Sequence, residues 1–175
     1  MVVIGRSELF TEHTTLAVLP VIDRKAGLGG LLRLWLIVYV ANILGTAAFA
    51  GMTVLVGPRL KVIDPKVLGE IANGATHHPA LTIFLSAILA GWLMGLLSWL
   101  VTAARDTISQ ILIVWLITGA IGLGHLHHSI VGATEVLSGL FAGQGISWRD
   151  FGHFMLWATM GNAVGGIFFV AVLKY

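Results

Sequence analysis

Three histidines lie within four residues of one another in Gly124-His125-Leu126-His127-His128-Ser129, and apolar sequence flanks them on both sides. Imidazole has the unperturbed pKa nearest neutrality, so it can exchange protons with a weak acid under ordinary conditions. An ionisable group inside an apolar run is expensive and faces a pore or a bundle interior. His128, directly before the second apolar run, is therefore the principal candidate for proton-transfer chemistry. The plainer reading is a neutral ring bonded to an interrupted backbone. His127 either lines the mouth of such a path or caps a helix end, and His125 reads as a cap. A metal centre fits poorly, because spacings of two and one seldom bring three ring nitrogens onto one tetrahedral ion. With no cysteine in the chain and only Glu135 just downstream, neither a metal nor another cofactor is expected.

A second constellation opens the chain, Leu9-Phe10-Thr11-Glu12-His13. Thr11 can cap a helix or donate its hydroxyl to an anion. Leu9 and Phe10 are bulky enough to form an apolar constriction that excludes water and ions, or they simply pack. Asn42 and Asn162 either brace an interrupted backbone or sit where helices approach closely. Gly45, Gly165 and Gly166 suit close helix contacts. Pro79 suits a helix's first turn, and no chemistry is assigned to His77 or His78 before it. Trp148 and Tyr175 suit interface anchors.

Composition says what kind of chain positions these residues. Of 175 residues, 57% are hydrophobic and 10% charged, and mean hydropathy is +0.94. A soluble domain carries roughly 25% charged residues. The ten Lys/Arg and eight Asp/Glu are scattered, with no basic stripe for nucleic acid. Met1–Ile4 followed by Gly5-Arg6-Ser7-Glu8 is too short for a secretory signal. A span needs roughly 20 apolar residues. Residues 31–56, 81–103 and 151–173 qualify, in what reads as a single transmembrane domain over 1–175. Residues 107–141 form a span broken at the histidines, and residues 11–22 form a half-helix entered from a polar break. Such breaks survive at membrane depth only where protein or a wetted cavity satisfies the backbone.

An internal repeat links the two breaks. Ala41-Asn42-Ile43-Leu44-Gly45 aligns with Gly161-Asn162-Ala163-Val164-Gly165, each with a Trp upstream, Trp35 and Trp157. Asn42 lies 31 residues after Thr11, and Asn162 lies 34 after His128. Two copies of break, half-helix, loop and span are the pattern of a repeat-built transporter fold. The second copy is preceded by one and a half spans with no counterpart before the first. The expectation is thus the C-terminal part of a six-span protein. Cations divide five against four between the two sides, which leaves orientation open.

Gly5-Arg6-Ser7-Glu8-Leu9-Phe10-Thr11, the His128-Ser129-Ile130 break and Gly161-Asn162-Ala163-Val164-Gly165-Gly166 together resemble the formate/nitrite transporter family. The wording of residues 7–15 looks most like its YfdC-like branch. The resemblance implies an all-α integral membrane protein, an aquaporin-like inverted-repeat bundle with two half-helices, here lacking its N-terminal one and a half spans. It implies a homopentamer in the lipid of a bacterial inner membrane, passing small monovalent anions such as formate or nitrite. His128 then matches the central pore histidine, Thr11 the threonine facing it, Leu9 and Phe10 the constriction, and Asn42 and Asn162 the repeat asparagines. Four positions depart from the family's formate channels. Ala75 stands for lysine, His127 for glutamate, and Gly132 and Gly91 for asparagine. The expected function is a channel or transporter with proton transfer at His128, not an enzyme. The alternatives are a non-transporting remnant or assembly component, and a membrane metallo- or haem enzyme using the histidines.

Overall fold

The computed structural model describes residues 7–172. The Met1–Ile4 stub, Gly5, Arg6, Lys174 and the Tyr175 anchor lie outside the described residues, as does Leu173 at the end of the last apolar run. Among the described residues every regular element is helical. Three helices are long and apolar enough to cross a membrane: α3 (Leu28–Val56), α5 (Ala80–Ala103), and α8 (Trp148–Gly166) continued by a π-helical turn to Val172. Between them lie α6 (Thr107–Leu123) and α7 (Ser129–Phe141), about 26 and 20 Å long at 1.5 Å per residue. Neither matches the roughly 30 Å of a hydrocarbon core, so neither is long enough to cross one alone.

The N-terminal half-helix divides into α1 (Phe10–Leu16) and α2 (Leu19–Ile22). Pro20 causes the division, since it has no N–H to donate and its ring crowds the carbonyl four residues earlier. A further helix, α4 (Pro65–Thr76), precedes α5. Asp64 caps it by accepting from the Lys66 N–H at 2.9 Å, and Pro65 occupies the first turn. α4 carries Lys66 and Glu70, so apolar runs alone do not signal it. Asp106 caps α6 through the Ser109 N–H and hydroxyl, which hold its carboxyl below the usual carboxylate range.

The most extensive helix pair is α5 with α8, and small residues make it close. A Cβ added at Gly91 would lie 2.2 Å from the Asn162 carbonyl oxygen, and one at Gly165 would lie 2.2 Å from that of Ile88. Gly161 is as tightly placed against Phe84 and Ala87. The core between α4, α5, α7 and α8 is built on fully buried Ala72, Ala87, Ala133 and Ala158 with Ile83, Val136 and Phe154. Gly45 differs from Gly165, its partner in the sequence repeat, because it faces open space. The outer faces of α3 and α6 are apolar and uncovered; Leu44 is 66% exposed and Trp115 74%. A water-soluble surface would not carry such faces, whereas lipid tails accept them.

Gly165→Leu should therefore lower the unfolding temperature in detergent, by an overpacking penalty of about 1–3 kcal/mol or more because backbone lies in the way. Gly45→Ala should leave it unchanged or raise it slightly. Equal effects at the two positions would contradict the packing described.

Candidate functional site

Each break presents the same problem, a helix whose first N–H groups have no intrahelical partner. Each is answered by an asparagine from a long helix. The Asn42 Oδ1 accepts from the Phe10 N–H at 2.9 Å, and its Nδ2 donates to the Glu8 carbonyl at 3.0 Å. The Asn162 Oδ1 accepts from the Ser129 N–H at 2.8 Å, and its Nδ2 donates to the His127 carbonyl at 3.0 Å and the Ala87 carbonyl at 2.8 Å. One amide thus bridges the residues on either side of the break centre. That centre is Leu9 in the first copy and His128 in the second. The structural repeat therefore equates Leu9 with His128, whereas counting from Thr11 had shifted the register.

His128 is the N-cap of α7, with its Nδ1 accepting from the Val131 N–H at 3.2 Å. In the neutral ring this places the proton on Nε2. Nε2 lies 3.0 Å from the Thr11 Oγ1, across the gap between the two half-helices. The Thr11 oxygen accepts that proton and retains a hydroxyl hydrogen to donate. Both residues are buried, Thr11 completely and His128 nearly so. Thr11 itself follows the cap, and its carbonyl accepts from the Thr14 hydroxyl at 2.7 Å. Thr15 donates to the Gly166 carbonyl at 3.1 Å, which ties α1 to the end of α8.

Apolar side chains surround this pair. The Phe10 ring packs edge-on against Tyr39 and Trp35, at centroid distances of 4.9 and 6.1 Å, and touches Val38 and Ile130. Leu9 packs both on that group and on the cluster of Met94, Leu97 and Ile121 from α5 and α6. Trp35 also donates to the His13 carbonyl at 3.1 Å, and His13 contacts Glu8. Seven residues singled out from sequence are thereby drawn to one region: Leu9, Phe10, Thr11, Asn42, His127, His128 and Asn162. His125 stands apart, with a positive φ of 48° after the end of α6.

Sequence reasoning missed Ser86. Its Oγ accepts from the His127 N–H at 3.1 Å and lies 2.9 Å from the His127 Nδ1. A hydroxyl within a charge-free apolar span was the available signal. It also missed Phe154, whose ring fills the space a side chain at Gly132 would need, with Cζ 2.2 Å from the position of a Cβ. Asparagine at Gly132 or Gly91 has no room here, which gives two of the departures a packing cause.

The sequence model described as Formate/nitrite transporter matches residues 1–175. The inner membrane protein YfdC of Escherichia coli (strain K12) is 33% identical over 178 residues, covering 100% of this chain and 56% of the relative. The nitrite transporter NirC of Salmonella typhimurium is 28% identical over 177 residues, covering 98% of this chain and 64% of NirC. The chain thus spans less than two thirds of either protein. A solved FNT family ion channel superposes with a TM-score of 0.91 at 26% identity, over 99% of this chain and 70% of that one.

Replacing Asn162 with alanine strands the buried Ser129 N–H and His127 carbonyl, at about 1–3 kcal/mol each, and removes the added bond to the Ala87 carbonyl within α5. Asn42→Ala also strands two groups, but in a partly exposed place where water can replace the lost bonds. The unfolding temperature in detergent should fall much further for Asn162→Ala. Equal losses would show that the two clamps do not act as described.

Proposed function

The chain belongs to the formate/nitrite transporter family, and from that premise we propose that it conducts small monovalent anions, of the nitrite or formate type, in exchange with their neutral acids at His128. Its fold is that of an anion-channel family, and its surface is that of an integral membrane protein. The single observation that carries the reading is the 3.0 Å contact of the Thr11 Oγ1 with the His128 Nε2 where two broken helices meet.

The chemistry follows from the cost of charge in an apolar medium. An isolated anion in hydrocarbon is far less favourable than its neutral acid. An anion reaching the break accepts a hydrogen bond from the Thr11 hydroxyl, whose oxygen is held by the His128 Nε2–H. A proton taken up from the aqueous side is relayed through the His128–Thr11 pair to the anion, so that the ring is neutral before and after the transfer. The neutral acid then passes Leu9 and Phe10, which hold water and ions back. The half-helix N-termini of α1 and α7 both point their positive ends at this place and favour the anion before it is neutralised.

Relatives named as transporters support a transporter rather than an enzyme. The uncovered apolar face of α3 suits the homopentamer and the bacterial inner membrane that the family resemblance implies.

The test is uptake of labelled formate and nitrite into proteoliposomes under an inward proton gradient, using the full product of the gene that encodes this chain. His128→Ala should lower uptake by on the order of a hundredfold, the lower range for a positioned acid–base group. Thr11→Val should lower it less. Undiminished uptake in His128→Ala would refute the proton-transfer role. No uptake by the unmodified protein would leave the assembly-component reading in its place.

A further inference from the structure

We propose that Tyr39 is the positioning residue of the apolar constriction, and that its hydrogen bond to Thr159 is what holds the Phe10 ring in place there. This role depends on the transport reading, whereas the contacts that assign it stand on their own. Trp35, Tyr39 and Asn42 recur at helical spacing along one side of α3. Each holds a different part of the half-helix α1. Asn42 takes the Phe10 N–H at 2.9 Å, and Trp35 donates to the His13 carbonyl at 3.1 Å. Those two bonds fix backbone. The Phe10 side chain is held by ring contacts instead, and the nearer of the two is Tyr39, at 4.9 Å and an interplanar angle of 68°. An edge-on pair gains its extra attraction only while both rings keep their orientation.

Tyr39 is itself fixed from α8. Its hydroxyl lies 3.0 Å from the Thr159 Oγ1, and among the described residues this is the hydrogen bond that joins α3 to α8. Its ring packs both on the Phe10 group and on the core that contains Phe154 and Ala158. The two bonded residues are 120 positions apart, as are Asn42 and Asn162, and each lies three residues before its own asparagine. The bond therefore ties equivalent points of the two copies together, and with them the break at Leu9 to the break at His128.

Elsewhere α3 and α8 hardly touch. An open cavity of about 290 Å³ lies between them, lined by Phe10, Tyr39 and Thr159 together with Leu36, Leu156 and Met160. None of these side chains is charged, so the cavity suits an aromatic ring. It gives Phe10 a place to turn into, and the Tyr39 ring, tied to Thr159, stands at its edge. Once that tie is cut, the Tyr39 ring can tilt and the Phe10 ring can follow it into the cavity. The net worth of one hydrogen bond shifts such an equilibrium by about two- to tenfold. The constriction then admits water that the intact pair keeps out.

The ring can be watched without transport. The full gene product carries para-fluorophenylalanine in place of Phe10, and fluorine NMR in lipid bilayers reports where that ring sits. Tyr39→Phe keeps the aromatic contact and removes only the hydroxyl. It should shift the fluorine signal or add a second one, and raise water permeability relative to formate uptake by about two- to tenfold. Thr159→Val should do the same, while Thr159→Ser, which keeps the hydroxyl, should match the unmodified protein. Tyr39→Phe and Thr159→Val combined should add nothing to either alone, because they remove one shared bond. An unchanged fluorine signal in both single variants would overturn the proposal, as would effects that add in the double variant. Uptake in the same bilayers keeps the two readings separate. A changed signal in a protein that transports nothing sustains the Tyr39–Phe10 coupling and sinks the transport reading, and transport with an unchanged signal does the reverse.

Discussion

A helix cannot be interrupted in an apolar environment unless the amides and carbonyls it frees are paired again, and here two asparagine side chains do that pairing. A primary amide suits the task because it offers an acceptor and a donor in one plane. The acceptor takes the first N–H of the half-helix, and the donor reaches the carbonyl two residues earlier. The residue between is left in an extended conformation with its side chain free for other work. Hydrocarbon makes the arrangement binding, since each group left unpaired there costs several kcal/mol.

The placement of the clamps determines the rest of the packing. Asn162 can reach Ser129 only because α8 lies close on α5, and Gly91, Gly161 and Gly165 permit that approach. The same amide's third bond, to the Ala87 carbonyl, fastens the break to α5 as well. From this common scaffold the two copies diverge at their centres. One places Leu9 there, an apolar side chain between two apolar clusters. The other places His128, whose imidazole caps its own helix and meets Thr11 of the opposite half-helix. Apolar side chains beside a titratable ring are the combination that the proposed conversion of an ion into its neutral acid requires.

Much of the fold was legible because its signals are local. Long apolar runs signalled the long helices, and the Asn-x-x-Gly repeat signalled the paired architecture. The register of the repeat was not legible from Thr11 and His128. Both residues bear chemistry, yet what equates the two breaks is which backbone groups each asparagine reaches. Gly45 and Gly165 are equal in sequence and unequal in space, because only the second has a helix against it. α4 escaped notice because a short helix with Lys66 and Glu70 has neither a long apolar run nor a break. Ser86 and Phe154 act on the histidine region from α5 and α8, and no spacing along the chain brings them there.

The central claim is that each asparagine amide secures its own break. Hydrogen exchange of the Phe10 and Ser129 amides in lipid bilayers tests it most directly. Both should be strongly protected in the unmodified protein. Asn162→Ala should release the Ser129 amide while Phe10 stays protected, and Asn42→Ala should do the opposite. Free exchange of both amides in the unmodified protein, or a Ser129 amide still protected in Asn162→Ala, would contradict the account.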